Sequence, residues 1–504
     1  MNMPLHQLIA ATDAVVLEGS TSREVSGMTY DSRRVNPGMV FFAVRGEKND
    51  GHDFISEAID RGAVAVVCER NGFISHRATK VQVKDCRKAM AQMAAEFYGH
   101  PSRRLKMIGV TGTNGKTTIA FLARRLLERA GYRTGLLSTI RYEVGDRVLP
   151  AGRTTPEALD LQQLLSQMVR AGCQACVMEV SSHAISQNRI LGVEFDIGVF
   201  SNLTQDHLDY HGTMENYYSA KEQFFKQLQS GSKSARAVIN HDDKYGRRLL
   251  ESGYVQATSF GLEEPADLVA HNIGLGRQGI RYELLAGDTR AECWVPLTGR
   301  HNVSNSLAAI GVALAVGVPM ETAIASLAAV QPVPGRLEPV PAGQPFSVYI
   351  DYAHTDDALR NVLETLREIT TGRILLAFGC GGNRDTTKRV KMGEVAAQFA
   401  DYTVITSDNP RRESPAAIAA QIEAGFLKVK SHGSRTILDR HLAIEEVISM
   451  ANPGDIVLIA GKGHETYQEL QDTVVPFDDR VHATAILERM RPGTVRQENI
   501  LHAA

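Results

Sequence analysis

The chain has 504 residues, of which 43% are hydrophobic and 22% are charged. These values are ordinary for a soluble globular protein with several cores, and they exclude a disordered, collagen-like or coiled-coil chain. The 55 Lys and Arg residues nearly balance the 57 Asp and Glu residues, which leaves a formal net charge of −2. Because no overall positive field is available to hold a nucleic-acid backbone, we expect no nucleic-acid partner.

Targeting and disulfide signals are weak. The six cysteines are too few for a disulfide scaffold, and the lone CxxC of Cys173 and Cys176 favours two structural cysteines over a metal site. The beginning of the chain lacks the basic and apolar segments of a signal peptide. The uncharged stretch 302–320 is interrupted by Asn, Gly and Pro, so we expect a buried globular helix there. The sequence predicts a cytoplasmic monomer without membrane insertion.

The first 104 residues alternate short apolar runs with helix-like stretches, which predicts a small α/β domain. From residue 105 the pattern becomes a strand, a glycine-rich turn and a helix, the opening unit of a parallel sheet. The strand candidates of these two regions are 39–44, 63–67, 80–83, 105–110, 134–139, 175–180, 195–200 and 235–239.

A Pro- and Gly-rich break at 331–339 is interpreted as a linker. Beyond it, strand candidates at 347–350, 374–378, 402–406 and 456–460 alternate with helical patterns, which predicts a second, doubly wound sheet. These strands run into the polar clusters DYAH, GCGGNRD, SDNPRR and GKGHE. Ligands bind beyond the carboxyl ends of parallel strands, so we expect the four clusters to share one crevice. The fold class is α/β with three domains, at 1–104, 105–332 and 333–504.

A phosphate-binding loop is the strongest local signal. The run TGTNGKTT lies between a strand and a helix, where backbone N–H groups and the helix N-terminus can hold phosphate oxygens. It departs from the GxxxxGK[ST] pattern, since the first glycine would fall at Val110. We expect nucleotide binding by Gly112, Thr113, Asn114, Gly115, Lys116, Thr117 and Thr118.

A lysine interrupts an apolar helical stripe. The stripe is formed by Met214, Tyr217, Tyr218, Phe224, Phe225 and Leu228. Lys221 falls in its middle, where a buried ammonium tends to lose its proton and the free amine can react with carbon dioxide to form a carbamate. The alternative is a lysine that extends along the stripe to solvent, which periodicity alone favours.

Metal-binding candidates follow neighbouring strands. Glu179 ends one apolar strand and His207 follows another, so both belong at the ligand-bearing edge. With Thr117 and a carbamate on Lys221 they form a plausible magnesium set, because Mg²⁺ prefers oxygen ligands. A hydrogen-bonded structural histidine remains the alternative for His207, and neighbouring Asp206, Asp209 and His211 keep the assignment open.

The chain closely resembles the Mur ligase family, the ATP-dependent enzymes that build the peptide stem of bacterial peptidoglycan. The resemblance covers nearly the whole chain through the motifs DSRRVNPG, FFAVRG, GVTGTNGKTT, TTP, MEVSSHA, NLTQDHLDYHGT, GRHNVSN, GRLE, DYAHTDDAL, GCGGNRD, DNPR and GKGHE. It implies a UDP-substrate domain at 1–104, a central P-loop ATPase-like domain at 105–332 and a Rossmann-like amino-acid-binding domain at 333–504.

The resemblance also implies roles for individual positions. Catalytic roles fall on Lys116, Glu179, His207 and the carbamylated Lys221. Additional ATP contacts fall on Asn302, Arg336 and Asp351. The UDP-N-acetylmuramoyl-dipeptide would be held by Tyr30, Ser32, Thr154, Thr155, Ser181, Gln187 and Arg189. The incoming amino acid would be bound by Arg384, Asp408, Asn409, Pro410, Arg411, Gly461 and Glu465.

Within the family, the motifs are most similar to those of enzymes that add meso-diaminopimelate to UDP-N-acetylmuramoyl-L-alanyl-D-glutamate. Arg411 can form two hydrogen bonds with the distal carboxylate of diaminopimelate, which lysine lacks. The alternative is a plain turn with Arg411 as a solvated surface charge. Two positions depart from the common family pattern: Asn383 replaces Asp and Asp356 replaces Pro.

The implied reaction is ATP-dependent formation of an amide through an acyl phosphate of the D-glutamyl γ-carboxylate, with Mg²⁺ as cofactor. A lysine-adding or folylpolyglutamate-type sister ligase is the nearest alternative. A nucleotide-switched binding protein without ligase activity is the alternative from another class.

Overall fold

The computed structural model describes residues 2–46, 49–70 and 76–490. Residues 491–504 of the predicted third domain lie outside this range. The chain divides into two compact units, one of 1–271, 283–291 and 304–327, and the other of 272–282, 292–303 and 328–504. No helix of the described residues is long and apolar enough to cross a membrane.

The N-terminal part of the first unit is a five-stranded sheet with helices. Its elements are β1 (Met3–Pro4), α1 (Leu5–Ile9), β2 (Val15–Glu18), β3 (Glu24–Val25), β4 (Gly27–Thr29), β5 (Met39–Phe42), α2 (Ile55–Asp60), β6 (Ala65–Cys68), β7 (Thr79–Gln82) and α3 (Cys86–Phe97). The strand order is β2-β7-β6-β5-β4, with β2 antiparallel to its neighbour and the others parallel. The predicted strands of this region are confirmed, with ends shifted by one or two residues.

The central part follows the strand, turn and helix pattern of the sequence. Its elements are β8 (Lys106–Thr111), α4 (Lys116–Arg129), β9 (Thr134–Leu137), β10 (Arg141–Val144), β11 (Arg147–Pro150), α5 (Ala158–Arg170), β12 (Ala175–Glu179), α6 (Ser182–Ser186), β13 (Ile197–Phe200), α7 (Leu208–His211), α8 (Met214–Ser230), β14 (Arg236–Asn240), α9 (Lys244–Ser252), β15 (Gln256–Gly261), β16 (Leu268–Gly276), β17 (Gly279–Ala286), β18 (Thr289–Val295), α10 (His301–Val316) and α11 (Met320–Leu327). The segments β16 to β18 and α10 are divided between the two units.

Within the first unit the central strands are ordered β11-β10-β9-β12-β8-β13-β14-β15-β16. The strands from β9 to β16 run parallel in this order, whereas β10 and β11 form an antiparallel hairpin at the edge. The phosphate-loop strand β8 lies between β12 and β13. The carboxyl ends of these three strands therefore meet at one edge, as the sequence predicts for Glu179 and the segment before His207.

The C-terminal part of the second unit is a six-stranded sheet with helices. Its elements are β19 (Glu338–Pro339), β20 (Ser347–Asp351), α12 (Asp356–Glu368), β21 (Ile374–Phe378), α13 (Thr387–Phe399), β22 (Tyr402–Ile405), α14 (Pro415–Leu427), β23 (Ser434–Thr436), α15 (Arg440–Ser449), β24 (Ile456–Ala460), β25 (Tyr467–Leu470), β26 (Thr473–Pro476) and α16 (Asp479–Arg489). The order is β19-β20-β24-β21-β22-β23, parallel except for β19.

This sheet has a hydrophobic core on each face. Ile374, Leu376 and Phe378 of β21 belong to one core, and the alternate residues Leu375 and Ala377 belong to the other. Helices α12, α13 and α14 contribute to the first core, whereas α15 and α16 contribute to the second. A strand buried on both faces reads as a continuous apolar run, which is why the sequence pattern predicts this doubly wound sheet correctly.

The segment 331–339 is only partly a linker, and the CxxC cysteines are structural. The linker prediction for 331–339 is wrong at its second half, because Glu338 and Pro339 form β19 and pair with β20. The backbone N–H of Leu337 also donates to the Asp351 carboxylate at 2.7 Å, which holds this segment on the sheet. Cys173 and Cys176 are both free and buried, as expected for structural cysteines.

The two departures from the family pattern are accommodated locally. Asp356 lies in the first turn of α12, which is capped by Thr355, and a carboxylate is favourable at this helix end. Asn383 has a left-handed backbone with φ of 52°, a conformation that Asn tolerates, and its Oδ1 accepts a hydrogen bond from the Arg412 N–H.

Candidate active site

The loop between β8 and α4 has a backbone that requires glycine at two positions. Gly112 has φ of +143°, and a Cβ there would lie 1.9 Å from Ser201 Oγ. Gly115 has φ of +84°, and a Cβ there would lie 2.4 Å from Asn305 Oδ1. Asn202 supports the loop by accepting the Asn114 N–H at 2.9 Å. The loop therefore has the close-packed, positive-φ backbone that a phosphate cradle needs.

Two lysines converge on this loop. Lys116 Nζ donates to the Gly112 carbonyl at 3.0 Å and to the Thr113 carbonyl at 2.7 Å. Lys221 Nζ, from α8, donates to the same Gly112 oxygen at 2.8 Å. Lys221 is 1% exposed, so the alternative of a side chain that reaches solvent is wrong.

The environment of Lys221 favours its uncharged form. Burial, followed by the nearby charge of Lys116, lowers the pKa of the Lys221 ammonium well below its usual range. The ring of Tyr217 lies 4.7 Å from its Nζ. An uncharged amine is the form that reacts with carbon dioxide, and this side chain therefore has the chemistry that carbamate formation requires.

Glu179 is fully buried at the end of β12 and is surrounded by hydroxyl and amide donors. Its Oε2 accepts from the hydroxyls of Thr117 at 3.1 Å and Thr139 at 3.2 Å. Its Oε1 accepts from the Thr139 backbone N–H at 2.8 Å. The Thr139 hydroxyl oxygen also lies 3.1 Å from Thr154 Oγ1 and can accept the Thr154 proton while its own proton is donated to Glu179. Thr117 and Glu179 are thus brought together beside the phosphate loop, as predicted.

The metal set is only partly assembled from protein side chains. No group of three or more His, Cys, Asp and Glu side chains that could hold a metal occurs in the described part of the chain. Thr117 and Glu179 nevertheless supply adjacent oxygen atoms, which is the ligand type that Mg²⁺ prefers. Mg²⁺ usually completes its coordination with waters and substrate phosphates, so these residues fit such an ion.

His207 belongs to an aromatic cluster beside the loop. Its side chain is 44% exposed, lies 3.5 Å from Asp206 and packs edge-on against His183. The neighbouring His211 stacks on Tyr217, and its Nε2 is 2.9 Å from Ser182 Oγ. Burial lowers the pKa of His211 to about 4, which keeps it neutral at pH 7.

A second group of predicted residues forms one hydrogen-bond network next to Glu179. The Thr155 hydroxyl donates to the Glu179 carbonyl, and the Ser181 N–H donates back to that hydroxyl. Arg189 donates to the Thr155 carbonyl at 3.2 Å and to Gln187 Oε1 at 2.6 Å. The buried Arg189 Nε has no hydrogen-bond partner among the described residues. The Arg189 guanidinium is already paired with Glu157 at 3.2 Å, so Nε is the donor left for a ligand oxygen, since an unsatisfied buried donor costs free energy.

Tyr30 and Ser32 lie at the N-terminal sheet, and each is held by a carboxylate. The Tyr30 hydroxyl donates to Asp160 of α5 at 2.6 Å, and the Ser32 hydroxyl donates to Glu57 of α2 at 2.9 Å. Burial and the adjacent Asp160 raise the pKa of Tyr30 above its usual value. The Tyr30 bond joins the N-terminal sheet region to the central part of the same unit.

The remaining nucleotide candidates belong to the second unit. Asp351 is buried and accepts the N–H groups of Leu337 and Ala353, and burial raises its pKa despite the nearby Arg336. The Arg336 guanidinium lies 4.8 Å from the centre of the Tyr352 ring. Asn302 Nδ2 donates to the Thr298 carbonyl at 2.8 Å.

The loops after β22 and β24 bring the predicted amino-acid-binding residues together. Asn409 Nδ2 donates to Glu465 Oε2 at 2.9 Å. Gly461 has φ of +109°, and a Cβ there would lie 3.0 Å from Asp408 Oδ2, so only glycine lets the two loops approach this closely. Asp408, Asn409 and Pro410 are buried. The prediction that these clusters share one edge of the sheet is confirmed within this unit.

The Arg411 side chain is held by contacts within the protein and does not extend freely into solvent. Its guanidinium forms an ion pair with Glu469 and donates from Nη1 to the Gly382 carbonyl at 3.0 Å. Its backbone is left-handed with φ of 52°, and its N–H donates to the Glu469 carbonyl. The solvated-turn alternative is therefore wrong. Arg384 is exposed. It lies on the same loop as Gly381, which packs next to Nη1 of Arg411.

Comparison with known proteins identifies the family. Models described as the Mur ligase family catalytic domain, the Mur ligase middle domain and the Mur ligase glutamate ligase domain match residues 24–98, 110–313 and 335–463. The chain belongs to the Mur ligase family. The expected enzyme class, an ATP-dependent acid–amino-acid ligase, is confirmed by this membership.

Full-length relatives and solved structures agree with this membership. The chain is 44% identical to UDP-N-acetylmuramoyl-L-alanyl-D-glutamate–2,6-diaminopimelate ligase of Caldanaerobacter subterraneus, over 94% of this chain and 96% of that protein. The same named enzyme of Geobacillus thermodenitrificans is 44% identical, over 97% and 100%. A solved structure with that enzyme name is 31% identical with a TM-score of 0.70, covering 97% and 99% of the two chains. Mycobacterium tuberculosis folylpolyglutamate synthase has a similar fold at 17% identity, with a TM-score of 0.62 over 80% and 96%.

Several residues of this Mur ligase site escape sequence reasoning. Thr139 follows β9 and could have been noticed because its strand ends at the same edge as β8 and β12. Lys462 lies inside the GKGHE cluster, where a charge after a buried strand is a usable signal. Glu469 belongs to the β25–β26 hairpin and carries no local signal that connects it to Arg411.

Proposed function

We propose that this Mur ligase joins meso-diaminopimelate to the D-glutamyl γ-carboxylate of UDP-N-acetylmuramoyl-L-alanyl-D-glutamate, with conversion of ATP to ADP and phosphate. The observation that carries the proposal is identity of 43–45% to full-length relatives that bear this enzyme name. We assign it to peptidoglycan precursor synthesis in the cytoplasm, as a monomer without a nucleic-acid or membrane partner. The near-neutral net charge supports the absence of a nucleic-acid partner.

We place the three domains at 1–104 for the UDP-substrate, 105–332 for ATP and 333–504 for the amino acid. Residues 112–118 would hold the ATP phosphates, because the loop presents its backbone between a strand and a helix N-terminus. Lys116 would leave its two carbonyl partners to reach the terminal phosphates. Asn302, Arg336 and Asp351 would contribute further nucleotide contacts.

We assign Mg²⁺ to Thr117 and Glu179, with His207 and a carbamate on Lys221 as further ligands. When bound, Mg²⁺ would neutralise charge on the transferring phosphoryl group. The low pKa of Lys221 supports the modification, since carbon dioxide reacts with an uncharged amine. Conversion to a carbamate would replace a buried neutral amine by an anion, which could then serve as an oxygen ligand for the cation.

The sugar-linked dipeptide would lie against Thr154, Thr155, Ser181, Gln187 and Arg189, with Tyr30 and Ser32 toward the UDP end. The unpaired Arg189 Nε supports this placement, because a substrate carboxylate would satisfy it.

Diaminopimelate would bind at Arg384, Asp408, Asn409, Pro410, Arg411, Gly461 and Glu465. The guanidinium of Arg411 would bind the distal carboxylate, and the buried Asp408 and half-buried Glu465 would attract the adjacent ammonium.

The chemistry follows from the poor leaving group of a free carboxylate. Transfer of the γ-phosphoryl group from ATP converts the D-glutamyl carboxylate into an acyl phosphate. The amine of diaminopimelate attacks its carbonyl carbon, and the tetrahedral intermediate collapses to the amide with loss of phosphate. The protein contributes positioning and charge stabilisation at each step.

One assay tests the proposal. Phosphate release is measured with UDP-muramoyl-dipeptide, ATP, Mg²⁺ and a panel containing meso-diaminopimelate, L-lysine and L-glutamate. We expect release that needs both the UDP-dipeptide and diaminopimelate, with lysine a poor substrate. Preference for lysine would indicate the lysine-adding sister enzyme, and use of glutamate with a folate would indicate a folylpolyglutamate synthase. ATP turnover without either acceptor would indicate a nucleotide-switched binding protein.

A further inference from the structure

The loop after β24 contains a completely buried lysine that no role assigned above explains. Lys462 is 0% exposed. Its Nζ lies 3.1 Å from Asn409 Oδ1, 3.1 Å from Glu465 Oε2 and 3.7 Å from Asp408 Oδ1. The ring of Tyr467 is 5.5 Å away. An ammonium without solvent is costly unless it is paired, and this one is paired within the amino-acid-binding group.

The lysine joins two loops that are separate in the sequence. Asn409 and Asp408 follow β22, whereas Lys462 and Glu465 follow β24, and β21 lies between these two strands. The ammonium also orients the Asn409 amide, because Oδ1 must be the atom that accepts from Lys462 and from the Glu469 N–H at 3.0 Å. Asn409 Nδ2 is thereby directed to Glu465.

The same ammonium reduces the negative charge that the two carboxylates present to a ligand. A bare substrate ammonium, such as the end of lysine, is repelled by this internal cation. A zwitterionic end, as in diaminopimelate, carries no net charge and is affected less. Loss of the internal cation would therefore improve binding of a bare ammonium relative to a zwitterion.

We propose that Lys462 is a positioning residue for the incoming amino acid, and that its charge contributes to the preference for a zwitterionic end over a bare ammonium. This inference rests on the proposed function. Lys462 acts through Asp408, Asn409 and Glu465 and contacts no reacting atom.

The experiment measures kcat and KM of Lys462→Met and Lys462→Gln with meso-diaminopimelate and with L-lysine. Methionine keeps the length without charge, and glutamine keeps one amide donor. We expect kcat/KM for diaminopimelate to fall at least 10-fold and the ratio of kcat/KM for diaminopimelate to that for lysine to fall at least 5-fold. KM for ATP should stay within 2-fold. Lys428→Met, which removes an exposed lysine paired with Glu394, is the control and should match the wild type.

Equal losses of kcat/KM for both amino acids would leave the diaminopimelate-to-lysine ratio at its wild-type value. This result would overturn the proposal, because a purely structural residue affects both substrates alike. Failure of both variants to fold, judged by circular dichroism, would overturn it for the same reason. The assay of the wild-type protein distinguishes failure of the Lys462 proposal from failure of the proposed function. Absence of diaminopimelate-dependent phosphate release from the wild type rejects the proposed function and removes the basis of the Lys462 proposal.

Discussion

Lys116 and Lys221 donate hydrogen bonds to the same atom, the carbonyl oxygen of Gly112, at 3.0 and 2.8 Å. Two ammonium groups on one oxygen repel each other, and the fully buried one of Lys221 is the one that gains by losing its proton. This arrangement places a neutral amine beside a phosphate loop and gives the carbamate hypothesis a structural basis that helical periodicity alone does not provide.

We predict that Lys221→Ala abolishes phosphate release and that a short carboxylic acid such as acetate restores part of it by supplying the missing anion. Lys226→Ala on the same helix, which removes a partly exposed lysine paired with Glu222, is the control. ¹³C NMR of the wild type in labelled bicarbonate should show a carbamate signal that is absent from Lys221→Ala. A fully active alanine variant would contradict the carbamate role.

Thr139 should affect the proposed Mg²⁺ site through its hydrogen bonds to Glu179. Thr139→Val removes the hydroxyl that donates to Oε2 but keeps the backbone donor to Oε1. We expect the Mg²⁺ concentration for half-maximal activity to rise about 10-fold, equivalent to the roughly 1.5 kcal/mol of one hydrogen bond to a charged group. Thr139→Ser retains the hydroxyl and should resemble the wild type. Equal Mg²⁺ dependence of the two variants would show that the hydroxyl is irrelevant.

Arg411 should be sensitive even to a conservative change. In the wild type, the planar guanidinium of Arg411 pairs with Glu469 and has further N–H groups for a substrate carboxylate. Arg411→Lys keeps the positive charge but loses this planar group. We expect KM for meso-diaminopimelate to rise about 10- to 100-fold, the effect of roughly 1.5–3 kcal/mol for charged hydrogen bonds. Activity with lysine should change little, because lysine has no distal carboxylate. Parallel losses with both substrates would refute a role in specificity.

The buried ion pair of Arg440 and Asp479 should stabilise the second unit. Both side chains are 0% exposed, and the guanidinium also donates to the carbonyls of Ser407, after β22, and of Ala460, the last residue of β24. Asp479→Asn leaves a buried charge unpaired, and we expect a loss of about 3–5 kcal/mol in the free energy of unfolding, measured with urea.

An exposed pair in the same unit provides the control for that experiment. Arg412 and Asp472 are 2.8 Å apart, with side chains 76% and 77% exposed. Arg412→Ala should cost less than about 1 kcal/mol, because solvent screens such pairs. Similar losses in the two variants would mean that burial does not determine the energy of the Arg440 pair.

The parallel strands and the phosphate loop could be predicted because their signals are local. A strand buried on both faces is a continuous apolar run, and β21 was predicted with its bounds of Ile374–Phe378 correct. The hairpins β10–β11 and β25–β26 carry no such signal, since the buried β10 alternates polar and apolar residues and the other three strands are short and partly exposed. Gly145 and Asp146 between β10 and β11 are the turn signal that could have indicated the first of them.

The sequence by itself determined that Lys221 lies on the apolar stripe of a helix and that polar clusters follow parallel strands, because periodicity and strand ends are properties of neighbouring residues. Only the tertiary structure decided that Lys221 ends on a carbonyl 109 residues away, that Thr139 holds Glu179, and that Lys462 and Glu469 organise the 408–411 turn. The reason is physical: these bonds join atoms from elements that are distant in the sequence, and their formation depends on how the fold brings those elements within about 3 Å, a distance that no local pattern encodes.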